Sequence, residues 1–193
     1  MEDHALERAP DFCLTDYEGR KHSLQSHRGH PLLLVFVRHY ACPCCRAHLL
    51  LLEQHRKDLQ SIGIDVLVVT FERPERARAY ARELGVSFPI LSDSERRVYR
   101  LYGLGVVGPP SHSFIRSLLD RLSATGGEPE EDSLPEEMRQ LGGDFILDAE
   151  GLMRFAYCSR YPSDRPAVTL LLAILRGLAR LLERNARTVP GRH

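Results

Sequence analysis

Residues 31–45 read Pro-Leu-Leu-Leu-Val-Phe-Val-Arg-His-Tyr-Ala-Cys-Pro-Cys-Cys, and this stretch decides the fold. An unbroken apolar run with β-branched and aromatic residues, as in 31–37, is typical of a central strand buried on both faces. From Cys45 onward, leucines recur at helical spacing, and Gly63 stands where a helix normally ends. The stretch therefore predicts a strand, a loop and one long helix from Cys45 to Ile62.

The residues that follow extend this unit. A second apolar run at 65–70 predicts a buried strand, so the segment is a βαβ unit with parallel strands and a right-handed crossover. Residues 74–84 begin with proline and are followed by glycine, which indicates a helix. We expect residues 88–91 to form a short edge or loop segment. Ser92 and Glu95 have capping-box spacing and predict one more short helix.

Antiparallel pairs are expected on both sides of this unit. Residues 11–15 and 22–24 bracket a turn and predict an N-terminal β-hairpin. Residues 144–147 and 152–157 flank a four-residue turn and predict a second hairpin. A closing helix is expected at about 166–184. The order predicts an α/β fold in which helices flank both faces of a mixed central sheet.

Between the βαβ unit and the second hairpin, residues at about 109–141 change character. Apolar residues at helical spacing are followed there by an acidic stretch, so we expect an insertion with one helix and a mobile loop. We interpret residues 1–193 as a single domain with a core at about 7–185, because 193 residues with 43% hydrophobic content fit one domain.

The charge of the chain excludes broad classes of partner. Lys plus Arg and Asp plus Glu number 26 each, so no global field attracts nucleic acid or an anionic membrane. Residues 1–10 contain no apolar run of the kind that a secretory signal needs. The apolar cluster at 169–182 is interrupted by Arg176 and Arg180 and is too short to span a bilayer. We therefore expect a cytoplasmic protein that binds neither nucleic acid nor membrane.

Three of the five cysteines lie within four residues. Cys42 and Cys45 stand where a strand hands over to a helix, so free N–H groups and the helix dipole favour their thiolates. Nearby Arg38 and Arg46 would add to this effect, which lowers a cysteine pKa from about 8.5 to roughly 3.5–7.5. The two-residue spacing allows one sulfur to attack and the other to resolve the product as a disulfide.

The cysteines also allow other interpretations. We expect Cys44 to point elsewhere on the helix as a packing residue. Cys158 is either structural or a remote resolving thiol. His39 and His48 are possible zinc ligands, so a zinc site is one alternative for the CxxC pair. An inert pair of core thiols is another. No second CxxC pair is present in the sequence, and a CxxC inside βαβ is the redox placement, so we favour redox chemistry over a metal site or an inert thiol pair.

A series of motifs in order carries a family resemblance. Residues 9–16 read Ala-Pro-Asp-Phe-Cys-Leu-Thr-Asp, residues 99–103 read Tyr-Arg-Leu-Tyr-Gly, and residues 142–148 read Gly-Gly-Asp-Phe-Ile-Leu-Asp. Together with the cysteine segment, this order resembles the AhpC/TSA peroxiredoxin family, in its peroxiredoxin-like branch. The resemblance implies a thioredoxin-like fold and reduction of a hydroperoxide substrate by a cysteine without a bound cofactor. It also implies an external thiol reductant, thioredoxin-like or glutathione-like.

The resemblance assigns roles to the cysteines and shows two departures. The family's Thr-x-x-Cys pattern places Cys42 in the threonine slot and Cys45 in the peroxidatic slot, so we favour Cys45 as the attacking sulfur. A thioredoxin interpretation gives the opposite order, with a more exposed Cys42 attacking first. Gly142 stands where the family has an arginine, and the threonine hydroxyl that helps to hold the peroxide is missing. In addition, neither Gly143 nor Asp144 is the proline with which thioredoxins dock a disulfide.

The leading hypothesis is a thiol antioxidant oxidoreductase that reduces hydroperoxides through a cysteine thiolate and a Cys42–Cys45 disulfide. Arg38 or Arg46 would supply the cation that steadies the leaving oxygen. Two alternatives remain open: a thiol–disulfide oxidoreductase acting on protein disulfides, and a redox-sensing module without fast turnover. The sequence also leaves a homodimer open.

Overall fold

A computed structural model of the chain describes residues 8–107 and 139–188. The strands are β1 (Cys13–Asp16), β2 (Lys21–Ser23), β3 (Leu32–Phe36), β4 (Asp65–Thr70), β5 (Ile90–Ser92), β6 (Gly143–Leu147) and β7 (Met153–Cys158). The α-helices in this part of the chain are α1 (Pro43–Gln54), α2 (Arg56–Ser61), α3 (Pro74–Leu84), α4 (Arg97–Leu101) and α5 (Val168–Thr188).

The strands form one mixed sheet in the order β2-β1-β5-β4-β3-β6-β7. At its centre, β3 pairs in parallel with β4 and antiparallel with β6, so that Leu34 lies between Leu67 and Phe145. This arrangement confirms the parallel βαβ unit, both hairpins and the mixed sheet that the sequence predicts. The fold is thioredoxin-like.

The two faces of β3 explain why its sequence is apolar throughout. Leu33 and Val35 face one core with α1, α3 and α5, whereas Leu32, Leu34 and Phe36 face a second core with α4 and the N-terminal segment. All five residues of β3 are buried. Each such side chain contributes about 1.5–3 kcal/mol when it is fully buried, so this strand anchors both layers. The carboxyl end of β3 thereby has a fixed position, and α1 begins beside it.

The long helix expected after the cysteines is in fact two helices. It is interrupted at His55, which has φ −100° and ψ 7° and joins the end of α1 to the start of α2. Leu49, Leu52 and Leu59 still face the core as their spacing predicts. The apolar period alone did not reveal the break, because both helices present the same face to the sheet.

Two predictions about the region after α3 were wrong. β5 is an interior strand, because β1 of the N-terminal hairpin pairs with it on the side away from β4. Ser92 ends β5 and donates its hydroxyl hydrogen bond to the carbonyl oxygen of Glu72, so it does not cap a helix. Asp93 caps α4 instead, since its carboxylate accepts the N–H groups of residues 97–99 at 2.8–3.1 Å.

The remaining expectations divide into two groups. The helices predicted at 74–84 and about 166–184 correspond to α3 and α5. The predicted insertion at about 109–141 lies outside the described residues except at its end, where Gln140 forms a bridge with Val106. Across residues 8–107 and 139–188, none of the helices combines the length and the apolar character that a bilayer crossing requires.

Candidate active site

The start of α1 gathers three sulfurs. Cys42 is the N-cap of the helix, and its sulfur accepts the backbone N–H of Cys45 at 3.4 Å. Pro43 occupies the first helical position, where a missing N–H costs nothing. The sulfurs of this turn therefore lie at the positive end of the helix dipole, which favours negative charge.

Helical periodicity separates the two later cysteines. Cys45 shares the buried face of α1 with Leu49 and Leu52, four and seven residues further on, and it is fully buried. Cys44 lies about 100° around the helix and is partly exposed. Its sulfur nevertheless lies 3.3 Å from the sulfur of Cys42, so the expectation that Cys44 points away from the pair was wrong.

Cys45 is surrounded by hydrogen-bond donors. Its sulfur accepts the backbone N–H of Arg38 and the Nη2–H of Arg165, each at 3.4 Å. Hydrogen bonds from the thiols of Cys42 and Cys44, then the Arg165 guanidinium and the Arg38 N–H, hold the pKa of Cys45 well below its ordinary value near 9, although burial opposes this. Cys45 is thus the thiolate of the group.

The other two sulfurs have the opposite preference. Hydrogen bonding to Cys45, followed by burial, raises the pKa of Cys42 above its ordinary value. The same two causes raise the pKa of Cys44. The directions of these pKa shifts favour Cys45 as the sulfur that carries the negative charge and Cys42 and Cys44 as thiols. The more exposed Cys42 expected from the thioredoxin interpretation is not found, because Cys42 is only 1% exposed.

Arg165 is held by a buried carboxylate. Asp144, which is in β6, accepts Arg165 Nη1 at 3.0 Å and contacts His48 Nε2 at 2.7 Å. Arg165 Nη2 also donates to the carbonyl oxygen of Phe36 at 2.7 Å, at the end of β3. Burial opposes the charge of Arg165, but Asp144 and the Cys45 thiolate raise its pKa. We call His48, Asp144, Arg165 and Cys45 the thiolate network.

Gly142 makes room for this guanidinium. A Cβ atom at residue 142 would lie 2.3 Å from both Arg165 Nη2 and the Phe36 carbonyl oxygen. The family resemblance places an arginine at this position, and its absence suggested an incomplete site. The structure instead brings the Arg165 guanidinium, from the segment between β7 and α5, into the space that a side chain at residue 142 would occupy, so this position requires glycine.

The two arginines expected from the sequence have different positions. Arg38 is buried, and its Nε donates to the Gln140 carbonyl oxygen at 2.9 Å while Nη1 lies 3.8 Å from the Cys42 sulfur. The guanidinium of Arg46 pairs with Glu83 at 2.7 Å on the outer side of the helix. The structure therefore brings Arg38 to the cysteines and does not bring Arg46 there.

Arg46 instead lines an open pocket of about 550 Å³ on the outer face of α1. The residues that line it are Tyr40, Ala41, Pro43, Arg46, Ala47 and Leu50, without any of the three cysteines. This hollow is consequently separate from the sulfur group.

The remaining two cysteines lie in strands of the sheet. Cys13 and Cys158 belong to β1 and β7, and burial raises the pKa of the Cys158 thiol. All five cysteines are free thiols in this structure. Within residues 8–107 and 139–188, no three side chains of histidine, cysteine, aspartate or glutamate converge as metal ligands.

Known proteins resemble this chain in sequence and in fold. The AhpC/TSA family model matches residues 5–156. The thiol-disulfide oxidoreductase ResA of Geobacillus thermodenitrificans is 35% identical over 98 residues, which are 50% of this chain and 56% of that protein. Peroxiredoxin Bcp of Escherichia coli K12 is 28% identical over 96 residues, which are 50% of this chain and 62% of that protein.

A solved structure extends the likeness to the whole fold. The crystal structure of peroxidoxin BcpB from Mycobacterium tuberculosis superposes with a TM-score of 0.67 at 17% identity, covering 90% of this chain and 97% of that one. At this identity the superposition shows the fold. Since the family match runs through the central sheet and the whole cysteine turn, this chain belongs to the AhpC/TSA family.

Proposed function

We propose that this protein is a thiol-dependent oxidoreductase that reduces hydroperoxides with the Cys45 thiolate. One observation carries the proposal: the Cys45 sulfur lies 3.4 Å from both a buried guanidinium and a backbone N–H. The thiolate is the nucleophilic form of cysteine, and such fixed donors stabilise it. The same donors can stabilise the negative charge that develops on a peroxide oxygen.

In the first step, the Cys45 thiolate attacks one oxygen of the hydroperoxide. The S–O bond forms as the O–O bond breaks, so the sulfur is oxidised to sulfenic acid and the departing alkoxide takes up a proton to become an alcohol. Arg165, and Arg38 through its N–H, would steady the negative charge during this exchange. The Arg38 guanidinium also lies 3.8 Å from the Cys42 sulfur. Cys42 would act as the resolving thiol in the next step.

In the second step, the Cys42 thiol condenses with the Cys45 sulfenic acid and releases water, forming the Cys42–Cys45 disulfide. The raised pKa of Cys42 leaves it protonated while Cys45 waits as a thiolate, which suits these two roles. An external thiol, thioredoxin-like or glutathione-like, then reduces the disulfide. This cycle needs a compartment that supplies such thiols, as the cytoplasm does.

Rapid mixing of the reduced protein with hydrogen peroxide tests the proposal, followed by mass spectrometry of the cysteines. We expect fast loss of two thiols and formation of one disulfide within residues 42–45. The matched control is a Cys13→Ser, Cys158→Ser variant, which removes only the thiols of β1 and β7 and should react like the wild type. A Cys42→Ser, Cys45→Ser variant that consumes peroxide as fast as the wild type would contradict the proposal.

A second candidate function is thiol–disulfide exchange on protein disulfides. It is favoured by the partly exposed Cys44 beside Cys42, and by the similarity to an oxidoreductase named for that reaction. Incubation with a small model disulfide distinguishes the two functions. Failure to exchange with it, while peroxide is consumed rapidly, would leave only the peroxidase proposal.

A further inference from the structure

The three sulfurs at the start of α1 differ in how solvent reaches them. Cys45 is 0% exposed and Cys42 is 1% exposed, whereas Cys44 is partly exposed. Reduction of a disulfide requires that an incoming thiolate approach one of its sulfurs. A disulfide between Cys42 and Cys45 would therefore be shielded from a protein reductant.

Cys44 is placed to remove this obstacle. Its sulfur lies 3.3 Å from that of Cys42 and 3.2 Å from the carbonyl oxygen of Pro162. Because a disulfide bond is about 2.05 Å long, the Cys42 and Cys44 sulfurs need to approach by little more than an ångström to bond. Residues two apart at a helix start thus have their sulfurs already in near contact.

We propose that Cys44 is a third redox thiol, which takes over the disulfide from Cys45 and presents it to the external reductant. The Cys44 thiolate attacks the Cys42 sulfur of the Cys42–Cys45 disulfide. The Cys42–Cys44 bond forms, the Cys42–Cys45 bond breaks, and Cys45 leaves as a thiolate while the Cys44 proton passes to solvent. The number of disulfides is unchanged, so no further oxidant is needed. This inference rests on the proposed function for its source of the first disulfide.

The direction of the transfer follows from the surroundings of the sulfurs. A thiol of low pKa is the better leaving group, and its release restores the Arg165 and Arg38 hydrogen bonds to Cys45. A disulfide that includes Cys45 forfeits these bonds, whereas one between Cys42 and Cys44 preserves them. The exchange therefore favours the Cys42–Cys44 disulfide.

The same contacts explain how Cys44 is activated at the right stage. Its pKa is raised first by the hydrogen bond with Cys45 and then by burial. Once Cys45 is tied up in a disulfide, it carries no negative charge, and the first of these causes disappears. The pKa of Cys44 therefore falls once Cys45 has reacted, although burial still raises it, and the Cys44 thiolate becomes easier to form at that stage.

Disulfide mapping tests the proposal directly. The Cys13→Ser, Cys158→Ser protein is oxidised with one equivalent of hydrogen peroxide or, separately, of diamide, and free thiols are then blocked with N-ethylmaleimide. Trypsin releases residues 39–46 as one peptide with all three cysteines. We expect fragmentation to locate the label on Cys45, whereas a label on Cys44 would overturn the proposal.

A kinetic arm uses the variant Cys44→Ser, in which the disulfide must remain between Cys42 and Cys45. We expect thioredoxin to reduce this disulfide about tenfold or more slowly than that of the parent protein, because no exposed sulfur remains to attack. Equal rates would overturn the proposal. If diamide gives the Cys45 label but peroxide reacts no faster than with free cysteine, the relay stands and the peroxidase proposal fails. If peroxide reacts fast but the label lies on Cys44, the peroxidase proposal stands and the relay fails.

Discussion

Within residues 8–107 and 139–188, two buried aspartates each contact one arginine and one histidine, and the two clusters have different roles. Asp16 binds Arg20 Nε and His22 Nε2, each at 3.0 Å, at the turn between β1 and β2. Asp144 binds Arg165 and His48 beside the cysteines. The pairs differ most in the arginine, since 62% of the Arg20 side chain is exposed but only 7% of Arg165.

The two clusters differ in the further hydrogen bonds that their residues form. Asp16 Oδ1 accepts the backbone N–H groups of Glu18 and Arg20, which closes the hairpin turn. These N–H groups and the side chains of His22 and Arg20 lower the pKa of Asp16 to about 2 against the effect of burial. Asp144 holds an arginine whose other nitrogen reaches Cys45. The same three residue types thus fix a turn in one place and a nucleophile in the other.

The largest expected difference is in stability. Asp144→Asn leaves the Arg165 charge buried without its carboxylate, and such a loss costs about 3–5 kcal/mol of unfolding free energy. Asp16→Asn keeps an oxygen for the two backbone N–H groups and faces an exposed arginine, so its loss should be clearly smaller. Urea unfolding of both variants measures the difference. Equal losses would contradict the comparison.

Urea unfolding of the two variants requires a pH at which the carboxylate of Asp16 contributes fully to the free energy of unfolding. The pKa of Asp16 falls from 3.8 to about 2 on folding, so its stabilisation is present above pH 3.8 and is lost as the pH falls toward 2. Unfolding at neutral pH therefore measures Asp16 with its full contribution.

The next effect is on reactivity. Arg165→Gln removes one charged hydrogen bond to the Cys45 sulfur, which is worth about 1.5–3 kcal/mol, or roughly ten- to a hundredfold in peroxide reaction rate. Arg165→Lys should recover part of this loss. Arg20→Gln, the matched change in the turn cluster, should leave the rate unaltered. Stopped-flow kinetics of all three variants measures these ratios. If Arg165→Gln reacts with peroxide as fast as the wild type, Arg165 has no role in the reaction.

A smaller effect is expected at the glycine that admits Arg165. Gly142→Ala places a Cβ atom 2.3 Å from the guanidinium and from a backbone oxygen, and overpacking of this kind costs about 1–3 kcal/mol. The peroxide rate should fall with it, because the guanidinium must move. Gly177→Ala in α5 meets nothing within 4 Å and should instead stabilise the helix by about 0.5–1 kcal/mol. Thermal unfolding compares the two alanine variants.

The smallest effect is expected at Arg46. Arg46→Ala breaks an exposed pair with Glu83 and touches no sulfur, so neither the peroxide rate nor the stability should change measurably. This variant separates the arginine that the sequence suggested from the one that the structure brings to Cys45. A loss comparable with that of Arg165→Gln would restore Arg46 as a participant.

Local sequence patterns were sufficient for most of the fold and for part of the site. The apolar run of β3 and the glycine after α3 depend on neighbouring residues, and both predicted their elements. The placement of Cys42 and Cys45 near free N–H groups at the helix start was predicted in the same way, although α1 begins at Pro43 and not at the expected Cys45. The prediction for Cys44 failed because it considered the position on the helix without the side-chain direction of an N-cap sulfur.

Arg165 was missed for a different reason. It lies 120 residues from Cys45 and outside the residues that match the family. Only the sheet brings the segment after β7 to the end of β3, so no local pattern marks it. The one available signal was Gly142, because a missing side chain beside a buried strand implies that another group fills its space.

The most direct test of Cys45 as the thiolate is a titration by ultraviolet absorbance, in the Cys13→Ser, Cys158→Ser background. We predict one thiol that ionises at clearly lower pH than free cysteine, because the lowered pKa belongs to Cys45. That step should vanish in Cys45→Ser and move to higher pH in Arg165→Gln, as expected if the guanidinium stabilises the charge. A protein in which no thiol ionises before about pH 8.5, the value of free cysteine, would contradict the thiolate assignment.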